Sequence, residues 1–106
     1  MSGSRTITSE DDLLDNVHPG DILREDFLIG TEIPVSEVVT GTGIDAAHFA
    51  AILAGTASVD ATDDLRLARY FRISEGFFIG LQIDHDLEDA RRAHGDSLNS
   101  IVQRAA

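Results

Sequence analysis

The chain contains no cysteine and no lysine. The first absence excludes disulfides and thiolate chemistry and fits a reducing compartment. The second leaves eight arginines as the only permanent cations, against 19 acidic groups and a formal charge of −11 over 106 residues. Attraction to a polyanion comes from Lys and Arg displacing counterions, so the chain has little of that term. The acidity is not confined to a tail, because residues 18–83 alone hold four Arg and ten acids. From Val35 to Ala61 there is no Arg at all. No apolar run is long enough to cross a bilayer, and the first residues lack the basic-then-apolar order of a signal peptide. No membrane association and a cytoplasmic location are therefore expected.

What is present suffices for one small domain, with an apolar fraction of 42%. Residues 1–16 carry the cluster Glu10-Asp11-Asp12 and no apolar period beyond Leu13-Leu14, so they are expected to form a flexible acidic arm. The domain is expected over residues 17–92, with residues 93–106 as a C-terminal extension that could add a turn or two around Leu98, Ile101 and Val102. Pro19 stands where a helix can start, with His18 helping to start it, and Ile22, Leu23, Phe27 and Leu28 continue it to Gly30-Thr31. Pro34, then Val35, Val38, Val39 and Thr42, mark a short second helix, and Gly43 suits the left-handed residue that closes it. Asp45 is placed to cap a third helix with Phe49, Ile52 and Leu53 inward, closed by Gly55. A fourth runs from about Ala61 to Phe71 with Leu65 and Ala68 inward. A fifth, capped by Ser74, runs from Glu75 to about Arg92 and carries Phe77, Phe78, Leu81 and Leu87.

The second and third of these are joined by a tight turn at Gly43, the arrangement that lets a helix project from its core into a major groove. Three stretches carry a resemblance: Val17-His18-Pro19-Gly20-Asp21-Ile22-Leu23-Arg24-Glu25-Asp26-Phe27-Leu28, Leu65-Arg66-Leu67-Ala68-Arg69-Tyr70-Phe71 and Phe77-Phe78-Ile79-Gly80-Leu81-Gln82. Together they resemble the HigA-type antitoxins, a branch of the phage-repressor-like helix-turn-helix family, over roughly residues 17–90. The resemblance implies an all-α, five-helix, lambda-repressor-like domain that dimerises, binds double-stranded operator DNA and neutralises a toxin. Where the family carries Ser and Gln at the start of the second helix, this chain has Pro34 and Val35. Where it carries Ser and Arg at the start of the third, this chain has Asp45, Ala46, Ala47 and His48. Thr56 and Ala57 replace the Lys-Arg that often follows the helix-3 glycine.

The expected DNA-facing set is therefore Ser36, Asp45, Ala46, Ala47, His48, Ala51 and Thr56, which offers hydroxyls, methyls and one imidazole in place of guanidinium groups. Binding through such a set is expected to be weak. His48 has two readings: a titratable cation at the DNA face, or a solvent-exposed histidine without a partner. Arg66, Arg69 and Arg72 form the only basic cluster, expected to pair with Asp21, Glu25 or Asp63 inside the fold. Phe77 and Phe78 point about 100° apart on a helix, so one ring is expected to seek a second surface, and Phe77, Phe78 and Leu81 are assigned to a homodimer interface.

Nothing indicates an enzyme. Serines sit in caps or tails, no glycine-rich phosphate loop follows a strand, and the acidic windows Asp60–Asp64 and Asp84–Asp89 read as exposed helix surface. His85 and His94 lie too far apart for a helical metal pair, so no metal and no cofactor are expected. A second reading stays open beside the antitoxin: an interaction module of helix-turn-helix shape that has lost DNA binding and docks a basic partner. A small basic toxin would satisfy both.

Overall fold

A computed structural model describes residues 15–105. Val17–Ile83 form one compact unit; residues 15–16 and 84–105 belong to a second. Among the described residues there are five helices and no strand. Helix α1 starts as Pro19–Ile22 and continues as a π-helix over Leu23–Ile29. Helices α2 (Val35–Thr42), α3 (Ala46–Ala54) and α4 (Ala61–Phe71) follow, and α5 runs over Phe77–Asn99.

Each start has a local cause. Before α1, His18 Nδ1 accepts the Gly20 N–H at 2.9 Å while Asp21 reaches back to the His18 N–H, with Pro19 in the first turn. Asp45 caps α3 by accepting the His48 N–H at 3.1 Å. Asp60 and Asp63 form a reciprocal capping box at the start of α4. Gly43 and Gly55 close α2 and α3 in the left-handed region, at φ 74° and 79°, where a Cβ would be strained.

The core joins Leu23, Leu28, Val38, Ile44, Phe49, Ile52, Val59, Leu67 and Phe78. Gly20 explains why the His-Pro-Gly opening matters to packing. A Cβ at this position would overlap the carbonyl oxygen of Ile52, so glycine lets α1 lie directly on α3. Gly41 plays the same part for α2, where the Tyr70 ring of α4 occupies the space a Cβ would need.

Two expectations about α4 are corrected. Leu65 is 39% exposed, and Leu67 takes the inward position beside Ala68, which is buried as expected. The phase follows from the acids that sequence reading placed in solvent: Asp63 and Asp64 are both buried, so the inward face of the first turn is polar. Asp64 explains the start of α5. Its Oδ2 accepts the Gly76 N–H at 2.6 Å, and its Oδ1 accepts those of Phe78 and Ile79 at 2.8 and 2.9 Å. The expected cap, Ser74, supplies only its carbonyl, to the Phe77 N–H. The donors of α5 are thus satisfied by a carboxylate from another helix, which also complements the helix dipole.

In the second unit, Asn16 donates to the His85 carbonyl at 2.8 Å and to Asp89 Oδ1 at 2.9 Å. Glu88 pairs with Arg91 and Arg92. Helix α5 reaches Asn99, beyond the expected end near Arg92, with one non-helical residue at His94 (φ −126°, ψ 20°). Most of the arm expected over residues 1–16 lies outside the described residues, as do Leu13-Leu14.

Candidate nucleic-acid interface

The link between α2 and α3 is held from several directions. Thr42 Oγ1 donates to the Val38 carbonyl at 2.7 Å and accepts the Ile44 N–H at 3.2 Å. Ile44 plugs the turn into the core at 4% exposure. Arg66, from α4, donates through Nη1 to the Thr42 carbonyl at 2.7 Å and lies directly beside Gly43. Arg24, from the π-helical part of α1, donates through Nη1 to the Leu53 carbonyl at 2.8 Å, in the last turn of α3. A cation at a helix C-terminus satisfies orphan carbonyls and opposes the dipole. Two of the four arginines in Val17–Ile83 therefore secure the ends of α2 and α3.

The expected basic cluster takes other partners than those anticipated. Arg69 meets Glu75 at 3.2 Å, Arg66 has the Thr42 carbonyl, and Arg24 is the residue that pairs with Asp21 and Glu25. Arg72 ends α4 in the left-handed region at φ 60°. The Arg24 guanidinium also holds the Asp21 carboxyl below the usual carboxylate range. Spacing showed that positions 66 and 69 share a helix face, but not which carbonyl lay within reach.

The outward face of the unit carries Ser36, Glu37 and Thr40 on α2, and Asp45, Ala46, Ala47 and Ala50 at or on α3, all exposed. Ala51 is half-buried, and Thr56 lies past the end of α3 with its hydroxyl donated to the Ala51 carbonyl at 3.2 Å. Of the expected set, Ala51 and His48 are the two that are only partly exposed.

His48 has a partner, contrary to the reading of an unpaired exposed histidine. Its Nε2 lies 2.8 Å from Asp63 Oδ2, with the imidazole 37% exposed and the carboxylate 8%. That hydrogen bond raises the His48 pKa above the ordinary histidine value; burial opposes it, and the charges of Asp63, Asp60 and Asp45 add to the rise. Donor atoms of His48, Asp60 and Asp63 fall within 4.8 Å of one another. Both carboxylates already serve the capping box of α4, which accounts for their convergence without an ion.

At the surface assigned to a partner copy, Phe77 is 42% exposed and Leu81 half-buried. Phe78 is not available to a partner: it is fully buried, with its ring against Phe27 and Phe77. The two rings meet edge to face with centroids 5.1 Å apart, and Phe78 is the one the core takes. Sequence reading missed Asp63, Asp64 and Arg24 as organising residues. The Asp60-x-x-Asp63 spacing of a capping box was the one signal available for any of them.

Two helices packed across a glycine turn, braced from α1 and α4 and presenting the second helix outward, define a helix-turn-helix domain of the phage-repressor type. Solved structures with this fold agree. Antitoxin GraA is 31% identical, with a TM-score of 0.77, over 85% of this chain and 97% of its own. The antitoxin HigA of Pseudomonas aeruginosa, solved with the higBA promoter, is 27% identical with a TM-score of 0.79, over 87% and 100%. An addiction module antidote protein of the HigA family from Coxiella burnetii is 28% identical with a TM-score of 0.77, over 85% and 98%. The chain belongs to the HigA-type antitoxin family. No protein-family model and no curated protein matches it.

Proposed function

We propose that the chain is an antitoxin and transcriptional regulator that binds operator DNA through α2–α3, as a homodimer, and neutralises a small basic toxin. The observation that carries this reading is the likeness to antitoxin GraA in complex with its operator, 31% identical at a TM-score of 0.77 over 85% of this chain. The α2–α3 geometry supports it independently, because α3 presents an exposed first turn while Phe49 and Ile52 anchor its other side. The interaction module without DNA binding is not favoured, since the neighbouring antitoxins of this fold are solved on operator or promoter DNA.

The chain acts by binding and not by catalysis, and it works in the cytoplasm, where an operator is found. No described helix is long and apolar enough to cross a membrane. For the toxin, the excess of acids over arginines in Val17–Ile83 favours a cationic partner. For the dimer, Phe77 and Ile83 leave apolar surface on α5 that a second copy could cover.

The decisive experiment is fluorescence anisotropy of the purified chain on the DNA upstream of its own reading frame, at two salt concentrations. Saturable binding to that DNA over an unrelated duplex is expected. Equal affinity for both duplexes would overturn the regulatory reading.

A further inference from the structure

We propose that Asp63 is the positioning residue that makes His48 the cationic reader of α3, in the role an arginine would otherwise fill. The inference rests on the reading of α2–α3 as the DNA-binding unit and deepens it. Between Val35 and Ala61 the chain has no Arg and no Lys, and His48 is the only side chain there able to carry a positive charge. It stands in the exposed first turn of α3, next to Ala46 and Ala47, which offer only methyl groups.

The hydrogen bond to Asp63 does more than attract. Asp63 Oδ2 also accepts the Asp60 N–H at 3.0 Å, and Asp60 Oδ1 accepts the Asp63 N–H at 2.8 Å. The carboxylate is thereby anchored at the N-terminus of α4, where the helix dipole favours the anion. An anchored acceptor keeps the hydrogen on Nε2 and leaves Nδ1 as the nitrogen whose role changes with pH. In the neutral ring Nδ1 is an acceptor, which phosphate oxygens and the O6 and N7 atoms of guanine repel. In the imidazolium it donates to either. The charged groups acting on the ring are Asp63 of α4, Asp60 at the cap of α4 and Asp45 at the cap of α3, all acidic. All three favour the imidazolium, so the donor form extends to higher pH than for an isolated histidine.

An arginine reads a guanine at any pH, whereas this pair reads it only while protonated. DNA affinity should be flat on the acid side of the His48 midpoint. On the alkaline side it should fall towards a limit of about tenfold per pH unit for each subunit.

The test measures anisotropy on the upstream DNA from about pH 6 to about pH 9 at constant salt, alongside the NMR titration of the His48 ring. Asn at position 63 keeps one oxygen to accept both the Asp60 N–H and the His48 N–H while removing the charge. Asp63→Asn should move the NMR midpoint and the turning point of DNA affinity to lower pH by the same amount, with helical circular dichroism unchanged. His48→Gln, which keeps a donor but cannot titrate, should flatten the profile. A wild-type profile flat over the whole range, or one whose turning point survives both substitutions, overturns the inference alone. Failure to bind the upstream DNA at any pH in low salt overturns the reading of α2–α3 and this inference with it.

Discussion

Arg66 closes the carbonyl end of α2 by donating to Thr42 at 2.7 Å, and it does so beside the glycine on which the helix-turn-helix pivots. Its guanidinium is thus part of the scaffold. Arg24 does the same for α3 at Leu53. The unit that faces outward is held by guanidinium groups that belong to other helices, while its own surface carries no arginine or lysine.

The first consequence concerns salt. Each phosphate met by a cation contributes about 0.9 to the slope of log affinity against log salt. With Arg24 and Arg66 occupied, a slope magnitude below about 4 is expected for a dimer on its operator. Ala46→Arg with Ala47→Arg, both at exposed positions, should steepen the slope and raise affinity at low salt. An unchanged slope would place these positions away from the phosphates.

Asp64 should be the most sensitive carboxylate in the domain. It is 2% exposed and accepts three backbone N–H groups at the start of α5. Asp64→Ala leaves those donors without their acceptor and should cost about 3 kcal/mol, lowering the melting temperature by roughly 10 °C or more. Asp64→Asn, which retains one acceptor oxygen, should cost less. Thermal denaturation followed by circular dichroism separates the two.

Two glycine-to-alanine substitutions should act in opposite directions. At Gly20 a methyl group meets the backbone carbonyl of Ile52, which cannot swing aside, so Gly20→Ala should destabilise by about 1–3 kcal/mol. At Gly80, on α5, a Cβ finds nothing within 4 Å. Gly80→Ala should gain stability from helix propensity, up to about 1 kcal/mol. Equal effects in chemical denaturation would contradict the packing at Gly20.

Stability should depend on pH through His48. Its folded pKa is raised by Asp63, so its contribution is fully present below the unfolded value of 6.5 and is lost as pH rises through the folded midpoint. Asp21, lowered by Arg24, works the other way: its contribution is present above 3.8 and lost as pH falls through its folded midpoint. Denaturation midpoints across this range should therefore fall off at both ends. His48→Ala should remove the dependence at the alkaline end only.

Oligomeric state offers a further check. A homodimer should scatter light as a particle of twice 11.4 kDa, and Phe77→Asp should shift it to the single-chain mass with the fold intact, because Phe77 is 42% exposed. A dimer that survives Phe77→Asp would place the interface elsewhere.

Features that depend on neighbours within a turn were legible in the sequence. Asp45 before α3, Gly43 and Gly55 after α2 and α3, and the limits of α4 at Ala61 and Phe71 all follow from local backbone chemistry. Features that depend on distant partners were not. Asp64 looked like one more surface acid because the amides it serves lie 12 to 15 residues away. The same reasoning misplaced Leu65, whose neighbour Asp64 takes the inward position an apolar side chain would usually hold. For the site, the absence of arginine and lysine could be read directly. That His48 has a buried acid behind it could not, because its partner lies on another helix 15 residues on.

Three of the four exposed alanines of α3 separate what the domain is from the DNA contacts proposed for it. Ala46, Ala47 and Ala50 contribute nothing to the buried core, and alanine already has the highest helix propensity. Exchanging them for Arg, Gln or Lys costs a few tenths of a kcal/mol at most. Selection can therefore rewrite this surface residue by residue without a compensating change in the interior, so chains with the same scaffold are free to diverge in the sequences they recognise.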